Sequence, residues 1–205
     1  MVSKGMKRLS LSAAVLAGGE SKRMGENKAF LKLGGKRLIE IIVEELHHLF
    51  AEVIVVSDNP QELVYLPARL AGDIYREGEK NALRGIHAAL SAAFHPSCFV
   101  VACDMPFLSL GLIEHMAAFA LEYDLVAPRL DGHYQPLFSF YNKMGLPAIT
   151  VALEQKQYKI SSLFRKLRVK EIGEDVVNIY DPKQLSFLNI NTREVLRYAE
   201  AYLNE

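Results

Sequence analysis

The sequence has no tryptophan and only two cysteines among its 205 residues. Cys98 and Cys103 lie on or beside one expected strand, without the spacing of metal ligands. We therefore expect two buried thiols in a reducing compartment, and the cysteines give no support for a metal centre.

An excess of charge of either sign is also lacking. Lys plus Arg number 24 and Asp plus Glu number 24, so the formal net charge is zero. Proteins that bind nucleic acid or membrane surfaces generally carry a basic excess, and we expect neither as a partner here. A local basic pocket for a phosphorylated ligand remains compatible with this balance.

Long apolar runs are absent, since none approaches the roughly 18 residues that a membrane span requires. The basic residues 1–10 and the apolar residues 11–17 superficially resemble a secretory signal. The apolar stretch is short, however, and leads into Gly18 and Gly19 without a small-residue cleavage site. We interpret it as the first buried strand and expect a cytoplasmic protein.

What the sequence does contain is an alternation of short apolar runs with longer amphipathic segments, typical of one α/β domain. Strands are predicted over residues 11–16, 53–56, 98–102 and 125–127. Helices are predicted over residues 37–50, 84–94 and 109–122, the last with Ser109 as N-cap. This order predicts a Rossmann-like fold, with a mostly parallel sheet and helices on both faces.

The second half of the chain is less regular. We expect a strand over residues 132–141 that is bulged or at an edge, because it contains Pro136. Further helices are predicted over residues 144–155, 161–167 and 191–204, and strands over residues 169–172 and 176–180. Thr192 or Asn191 is the expected cap of the last helix.

A glycine-rich loop follows the first strand. Gly18 and Gly19 permit positive φ and a close approach of backbone N–H groups to a ligand. The segment also carries donors and three positive charges, at Ser21, Lys22, Arg23 and Lys28. Its spacing matches neither a dinucleotide fingerprint nor a P-loop. From these residues alone, it is either a phosphate-binding loop or a flexible basic turn.

A carboxylate follows the strand predicted over residues 98–102, where residues 100–107 read Val-Val-Ala-Cys-Asp-Met-Pro-Phe. Ligands of such sheets bind at the carboxyl ends of the strands, so the loops after Leu16, Val56 and Ala102 should converge on one crevice. Asp104 could be a cap or turn residue. It is also the hard oxygen ligand that Mg²⁺ prefers, and we take it as the candidate metal ligand.

Together these motifs resemble the nucleotidyltransferases that activate sugars, isoprenoid precursors and the molybdenum cofactor. The resemblance is carried by Leu-Ala-Gly-Gly at 16–19, then Ser21, Arg23-Met24-Gly25, Lys28 and Cys-Asp-Met-Pro at 103–106. Over essentially the whole chain, the sequence most resembles the MobA family, the molybdenum cofactor guanylyltransferases.

The resemblance implies Mg²⁺-dependent transfer of GMP from GTP to molybdopterin, with loss of pyrophosphate. It implies that Leu16, Ala17, Gly18 and Gly19 contact the nucleotide and that Arg23 and Lys28 hold its phosphates. Asp104 would bind the metal and the nucleotide. Arg23, Lys28 and Asp104 are thus the implied catalytic residues.

By position, the resemblance also makes Ser57 and Asp73 nucleoside contacts, although an ordinary turn and a solvated loop acid are the alternatives. It places the acceptor against Gln135, Pro136, Asn189 and Asn191. Helix capping is an alternative role for either asparagine. The single domain, residues 1–205, then divides into a nucleotide-binding half at about 9–105 and an acceptor half at about 106–205, and contacts with molybdenum enzymes or accessory proteins are possible.

The sequence departs from the family pattern at a few positions. Asn27 stands where the family usually has Asp. Asn81 and Ala82 replace Gly-Pro of a Gly-Pro-Leu-Ala-Gly motif, and Arg84 replaces its Ala. This second change bears on the choice of base, and Arg84 could also be a surface residue at a helix N-terminus.

Other functions remain open at this point. A sister transferase, acting on the same cofactor with CTP or on a sugar phosphate or phospholactate, would differ in the NTP it uses. A nucleotide-binding regulator without catalysis is a second alternative, and a nicotinamide oxidoreductase is disfavoured by the missing fingerprint. No Cys, Ser-His or His nucleophile arrangement is evident, which favours direct displacement.

Overall fold

The computed structural model describes residues 8–18, 28–72, 75 and 80–203. Within them the strands are β1 (Leu9–Leu16), β2 (Lys32–Leu33), β3 (Lys36–Arg37), β4 (Phe50–Val56), β5 (Arg69–Ala71), β6 (Ser97–Ala102), β7 (Leu125–Leu130), β8 (His133–Tyr134), β9 (Phe138–Asn142) and β10 (Val169–Ile172). The α-helices of the same residues are α1 (Leu38–Leu49), α2 (Ala82–Ala92), α3 (Leu110–Ala117), α4 (Leu146–Glu154), α5 (Ile160–Leu163), α6 (Glu174–Tyr180) and α7 (Arg193–Leu203). No helix in these ranges is long and apolar enough to cross a membrane.

One sheet organises the described part of the chain, in the order β10-β7-β9-β6-β1-β4-β5, with β8 paired to β7. Strands β6, β1, β4 and β5 are mutually parallel, as are β10 and β7. Strand β9 lies antiparallel between β6 and β7. Because β9 is antiparallel to both of its neighbours, all the remaining strands in this order run in the same direction. The mostly parallel sheet is confirmed.

Helices cover both faces of the sheet, as predicted. In β1, Ala13 and Val15 face a core shared with α1 and α3, whereas Ala14 and Leu16 face a core shared with α2 and α4. Side chains that face either core must be apolar, which is why residues 13–16 of β1, 53–56 of β4 and 98–102 of β6 form continuous apolar runs.

Side-chain caps fix where the helices begin. The Ser109 hydroxyl accepts a bond from the Leu112 N–H (3.4 Å), which confirms the predicted cap of α3. Thr192 does the same for α7 through the Val195 N–H (3.2 Å). Helix α3 ends earlier than predicted, at Ala117, and continues as turns.

The strand predicted over residues 176–180 is wrong, because this segment lies within helix α6. Val176, Val177 and Ile179 suggested a strand, but Val177 is the buried side chain of the helix and Ile179 is 74% exposed. Glu174 and Asp175 occupy the first turn, where carboxylates interact favourably with the helix dipole. The strand propensity of the β-branched residues is therefore outweighed by the acidic first turn of the helix and by the burial of Val177.

The strand predicted over residues 132–141 is divided into β8 and β9 at Pro136. Pro136 has no N–H to donate to a sheet, and its carbonyl accepts a bond from the Tyr141 hydroxyl (2.9 Å) instead. The turn before β8 has positive φ at Asp131 and Gly132, the Asp-Gly arrangement that favours a tight hairpin.

A charged cluster holds the amino ends of β1, β4 and β5 together. The Glu52 carboxylate accepts bonds from the Ser12 hydroxyl (2.5 Å) and the Phe94 N–H (2.8 Å). Its other oxygen lies 3.1 Å from a guanidinium nitrogen of Arg69. Because the Glu52 side chain is largely buried, its charge is stabilised by these donors in place of water.

We expect Glu52→Gln to lower the free energy of unfolding by about 3 kcal/mol, because it leaves Arg69 without a compensating charge in a partly buried setting. Urea denaturation followed by circular dichroism measures this. Glu44→Gln is the matched control: Glu44 pairs with Lys36 at an exposed site, and its loss should cost under about 1 kcal/mol. Equal losses in the two variants would contradict a special role of the Glu52 cluster.

Both cysteines are free and buried, as expected from the sequence. Burial raises the pKa of the Cys98 thiol far above its ordinary value, and the nearby Glu52 carboxylate adds to the effect.

We therefore expect Cys98 in the folded protein to resist iodoacetamide at about pH 8, since the thiolate is the reactive form. The unfolded thiol ionises near its ordinary pKa whereas the folded one stays protonated, so stability should fall as the pH rises above about 8.5. Peptide mass spectrometry after labelling, with a urea-unfolded control, tests the first point. Rapid alkylation of Cys98 under native conditions would show that the thiol is not enclosed.

Candidate nucleotide-binding site

The carboxyl ends of the three central strands meet in register. Leu16 of β1 is paired with Val56 of β4 and with Ala102 of β6. Beyond the strands, the Ala17 N–H donates to the Val56 carbonyl (2.8 Å) and the Cys103 N–H donates to the Leu16 carbonyl (3.1 Å). The predicted convergence of the three loops at one edge is confirmed.

The described start of the glycine-rich loop lies open at this edge. Gly18 is exposed, and a Cβ placed on it would lie 3.9 Å from a carboxylate oxygen of Asp58. Gly19 and Arg23 lie outside the described residues, as does the side chain of Lys28. The backbone of Lys28 begins a short 3₁₀ turn that leads to β2. The phosphate-binding roles of Arg23 and Lys28 stay predictions.

Asp104 lies two residues after β6 and is 9% exposed. Its carbonyl accepts a bond from the N–H of Ile190 (2.8 Å), a fully buried residue. Asn189 and Asn191 flank Ile190, so both predicted acceptor residues are brought beside the candidate metal ligand. Thr192 provides a side-chain cap of α7, and the acceptor role of the two asparagines stays a prediction.

The other two predicted acceptor residues lie at the same edge. The Leu137 carbonyl accepts a bond from the Ala102 N–H (3.3 Å), which joins the segment before β9 to the end of β6. Within that segment the Gln135 N–H donates to the Pro128 carbonyl (2.9 Å). Gln135 and Pro136 are therefore held by the backbone next to the strand that precedes Asp104.

Ser57 is buried at the end of β4, where its N–H donates to the Ala71 carbonyl (3.0 Å). Its hydroxyl accepts a bond from the Asn59 N–H (3.1 Å), which is the turn-forming role. Asp73 lies outside the described residues. Contact of either residue with a nucleoside stays a prediction.

Within residues 8–18, 28–72, 75 and 80–203, no group of three or more His, Cys, Asp or Glu side chains could hold a metal ion. Mg²⁺ commonly takes one or two carboxylates and completes its shell with water and substrate phosphates. A single carboxylate just after β6, that of Asp104, fits an ion that arrives with a phosphorylated substrate. It does not fit a metal held by protein ligands alone.

The family model described as a MobA-like NTP transferase domain matches residues 13–172. The chain belongs to the MobA-like NTP transferase family. A probable molybdenum cofactor guanylyltransferase of Natranaerobius thermophilus is 35% identical over 200 residues, covering 96% of this chain and 98% of the relative. A molybdenum cofactor guanylyltransferase of Desulfosudis oleivorans is 34% identical, covering 94% and 95%.

Solved structures agree with this assignment. Molybdopterin-guanine dinucleotide biosynthesis protein A from Archaeoglobus fulgidus superposes with a TM-score of 0.83 at 28% identity, covering 95% of this chain and 99% of the other. The 2-C-methyl-D-erythritol 4-phosphate cytidylyltransferase from Thermus thermophilus gives a TM-score of 0.70 at 20% identity, covering 96% and 100%. The second likeness shows the fold alone.

The structure adds residues to this MobA-like site that the sequence analysis did not select. The Lys80 ammonium lies 3.0 Å from a carboxylate oxygen of Asp58, so the loop after β4 is tied to the start of α2 beside Gly18. Asn81 caps α2 by accepting a bond from the Arg84 N–H (3.1 Å). No sequence pattern indicates this ion pair, because it joins two loops that only the fold brings together.

Arg84 is 4% exposed, so its alternative interpretation as a surface residue is wrong. Its helical neighbours His87 and Ala88, three and four residues later, are buried too, and this spacing could have indicated a buried position. Gly85 explains the close packing of the helix: a Cβ there would lie 3.1 Å from a methyl carbon of Leu16. The first turn of α2 is thus pressed against the end of β1.

We expect Asp58→Asn and Lys80→Gln each to change the unfolding free energy by less than about 1 kcal/mol, because both side chains are partly exposed. The double variant should show a small favourable coupling that shrinks at high ionic strength. A double-mutant cycle from urea denaturation at low and high salt measures it. Coupling that is independent of salt would argue against an ion pair.

Proposed function

We propose that this protein transfers GMP from GTP to the molybdopterin form of the molybdenum cofactor, giving the guanine dinucleotide cofactor and pyrophosphate. The observation that carries the proposal is the meeting of residues 16–18, Asp104 and residues 189–191 at one edge of the sheet. Relatives that match nearly the whole chain are named for this activity. The proposed subcellular location is the cytoplasm, where the two free thiols stay reduced.

The nucleotide would lie across the ends of β1 and β4. Gly18 is exposed there and carries no side chain, so its main chain can approach a ligand closely. The Ala17 N–H and the Leu16 carbonyl are bonded to the neighbouring segments and hold the start of the loop in place. Arg23 and Lys28 follow in the same loop and would hold the triphosphate oxygens by charge-assisted hydrogen bonds. Such contacts orient the α-phosphate and restrict the conformational freedom of the triphosphate.

Asp104 would hold Mg²⁺ between the protein and the phosphates. When bound, the ion would neutralise charge that develops on the phosphate oxygens as pyrophosphate leaves. The bond from Ile190 to the Asp104 carbonyl holds the backbone at this position, so the carboxylate is presented from a fixed support. A carboxylate that acts on the charge of the transition state must be held in position before the reaction, and the buried Ile190 helps to hold Asp104 in this way.

The acceptor would approach from the side of Gln135, Pro136, Asn189 and Asn191. A terminal phosphate oxygen of molybdopterin then attacks the α-phosphorus of GTP in line and the bond to pyrophosphate breaks. The protein supplies position and positive charge without a covalent intermediate. Amide side chains suit this face, because they can bind a phosphate or a polar ring without adding negative charge.

The test is isothermal titration with GTP, CTP, ATP and UTP in Mg²⁺, followed by a transfer assay with molybdopterin. We expect GTP alone to bind tightly. Preference for CTP would preserve the fold and the chemistry but replace the function with that of a cytidylyltransferase. Binding of GTP without transfer would favour a nucleotide-binding regulator.

We further expect Asp104→Asn to lower the transfer rate by about 100-fold or more, because the neutral amide is a poor Mg²⁺ ligand. Its effect on the thermal unfolding midpoint should be small by comparison. Glu114→Gln is the matched control, since Glu114 is an exposed acid on α3. Full activity in the Asp104 variant would remove Asp104 from the proposed mechanism.

A further inference from the structure

We infer that Ser186 is a positioning residue: through its hydrogen bond to the backbone of Ser109, it fixes where Asp104 lies relative to residues 189–191. The inference rests on the proposed function, since it concerns the placement of the candidate metal ligand and of two acceptor residues. In this role Ser186 acts through the backbone of two segments and contacts neither substrate.

The segment from Asp104 to Ser109 and the segment from Ser186 to Ile190 run antiparallel and are hydrogen-bonded at both ends. At one end the Ile190 N–H donates to the Asp104 carbonyl (2.8 Å). At the other end the Ser109 N–H donates to the Ser186 hydroxyl (2.9 Å), and these two residues are 77 positions apart in the sequence. Phe107, in the first segment, packs on the same apolar cluster as Ile190. The two segments therefore form one unit that carries the candidate metal ligand and, on either side of Ile190, the two acceptor asparagines.

The turn that contains Ser186 does not need the serine hydroxyl. The Asp181 carboxylate closes this turn by accepting bonds from the N–H groups of Leu185 (3.1 Å) and Ser186 (2.9 Å). Any residue except proline could supply the second N–H, whereas only a side chain with an acceptor atom can receive the Ser109 N–H. Ser186 and Asp181 are both buried, so water does not replace these bonds. The hydroxyl therefore joins the two segments, and the carboxylate holds the hydroxyl in place.

A second bond attaches the start of α3 to the same turn. The Ser109 hydroxyl donates to the carbonyl of Tyr180 (3.0 Å), which immediately precedes Asp181. Ser109 is thus bonded on both sides of Asp181, through its hydroxyl to Tyr180 and through its N–H to Ser186. A shift of the turn would either break these bonds or move the start of α3, which lies only a few residues after Asp104.

The alternative is a purely structural role, because the N–H at the start of a helix has no partner within that helix. Both roles predict a loss of stability when the hydroxyl is removed. Only positioning also predicts slower transfer by protein that is fully folded, since a displacement of about 1 Å between reacting groups can cost about 100-fold in rate. Binding of the nucleotide alone should change little, because residues 16–18 lie outside the two segments.

The experiment compares the native protein with Ser186→Ala and with the matched control Ser97→Ala. Ser97 is also a buried serine with a hydroxyl bond, to the Tyr141 carbonyl (3.2 Å), but it lies at the amino end of β6. Asp181→Asn is a milder second variant, since the amide keeps the shape of the carboxylate and can accept through one oxygen only. Circular dichroism and thermal unfolding establish that each variant is folded at the temperature of the measurements.

Two properties of the folded proteins are measured. Amide hydrogen exchange, followed by mass spectrometry, should become about 10-fold faster in residues 104–109 and 186–191 of Ser186→Ala and stay unchanged there in Ser97→Ala. Transfer kinetics with Mg²⁺, GTP and molybdopterin should show kcat lowered by about 10-fold in Ser186→Ala, with the Kd of GTP changed by less than about 2-fold. Asp181→Asn should show the same two changes at smaller size.

Unchanged exchange in Ser186→Ala would show that the hydroxyl does not join the segments, and would overturn the inference while the proposed function stands. Faster exchange with an unchanged kcat, or an equal loss of kcat in Ser97→Ala, would leave Ser186 a structural role and also overturn positioning. A native protein that transfers no GMP would overturn the proposed function, and the positioning role with it, whatever the exchange rates.

Discussion

The site depends on one constraint, the common level at which β4, β1 and β6 end. These strands are buried on both faces, so they cannot slide relative to each other without breaking the hydrogen bonds of the sheet and displacing two packed cores. Leu16, the last residue of β1, is paired on both sides. The residues that follow each strand are therefore fixed at one edge before any ligand binds, which reduces the entropic cost of assembling a site.

The C-terminal part of the chain is bonded directly to this edge of the sheet. Ile190 donates to the Asp104 carbonyl and is buried with Leu33 and Leu38, close to the segment that leaves the glycine-rich loop. Helix α7 packs on the same cluster through Ala199. Residues near both ends of the chain are thus packed together at this edge.

The sequence allowed the central strands, the covering helices and the edge that carries the site to be predicted, because burial on both faces leaves a strong apolar pattern. Prediction from the sequence failed where the local pattern of apolar residues indicates one element and tertiary packing produces another. Val176 and Ile179 suggested a strand, yet the acidic first turn and a single buried side chain made α6. The link between Asp58 and Lys80 could not be predicted, since it joins loops whose proximity arises from the strand order.

The start of α2 shows how a helix can be held at this edge by contacts that lie outside the strands. A Cβ on Gly85 would lie 3.1 Å from a methyl carbon of Leu16, so the first turn packs this closely on β1 because the residue has no side chain. Asn81 caps the same turn, and Lys80 before it pairs with Asp58 after β4. The helix start is therefore tied to the ends of both β1 and β4, and a shift of either strand would break these contacts as well as the hydrogen bonds of the sheet.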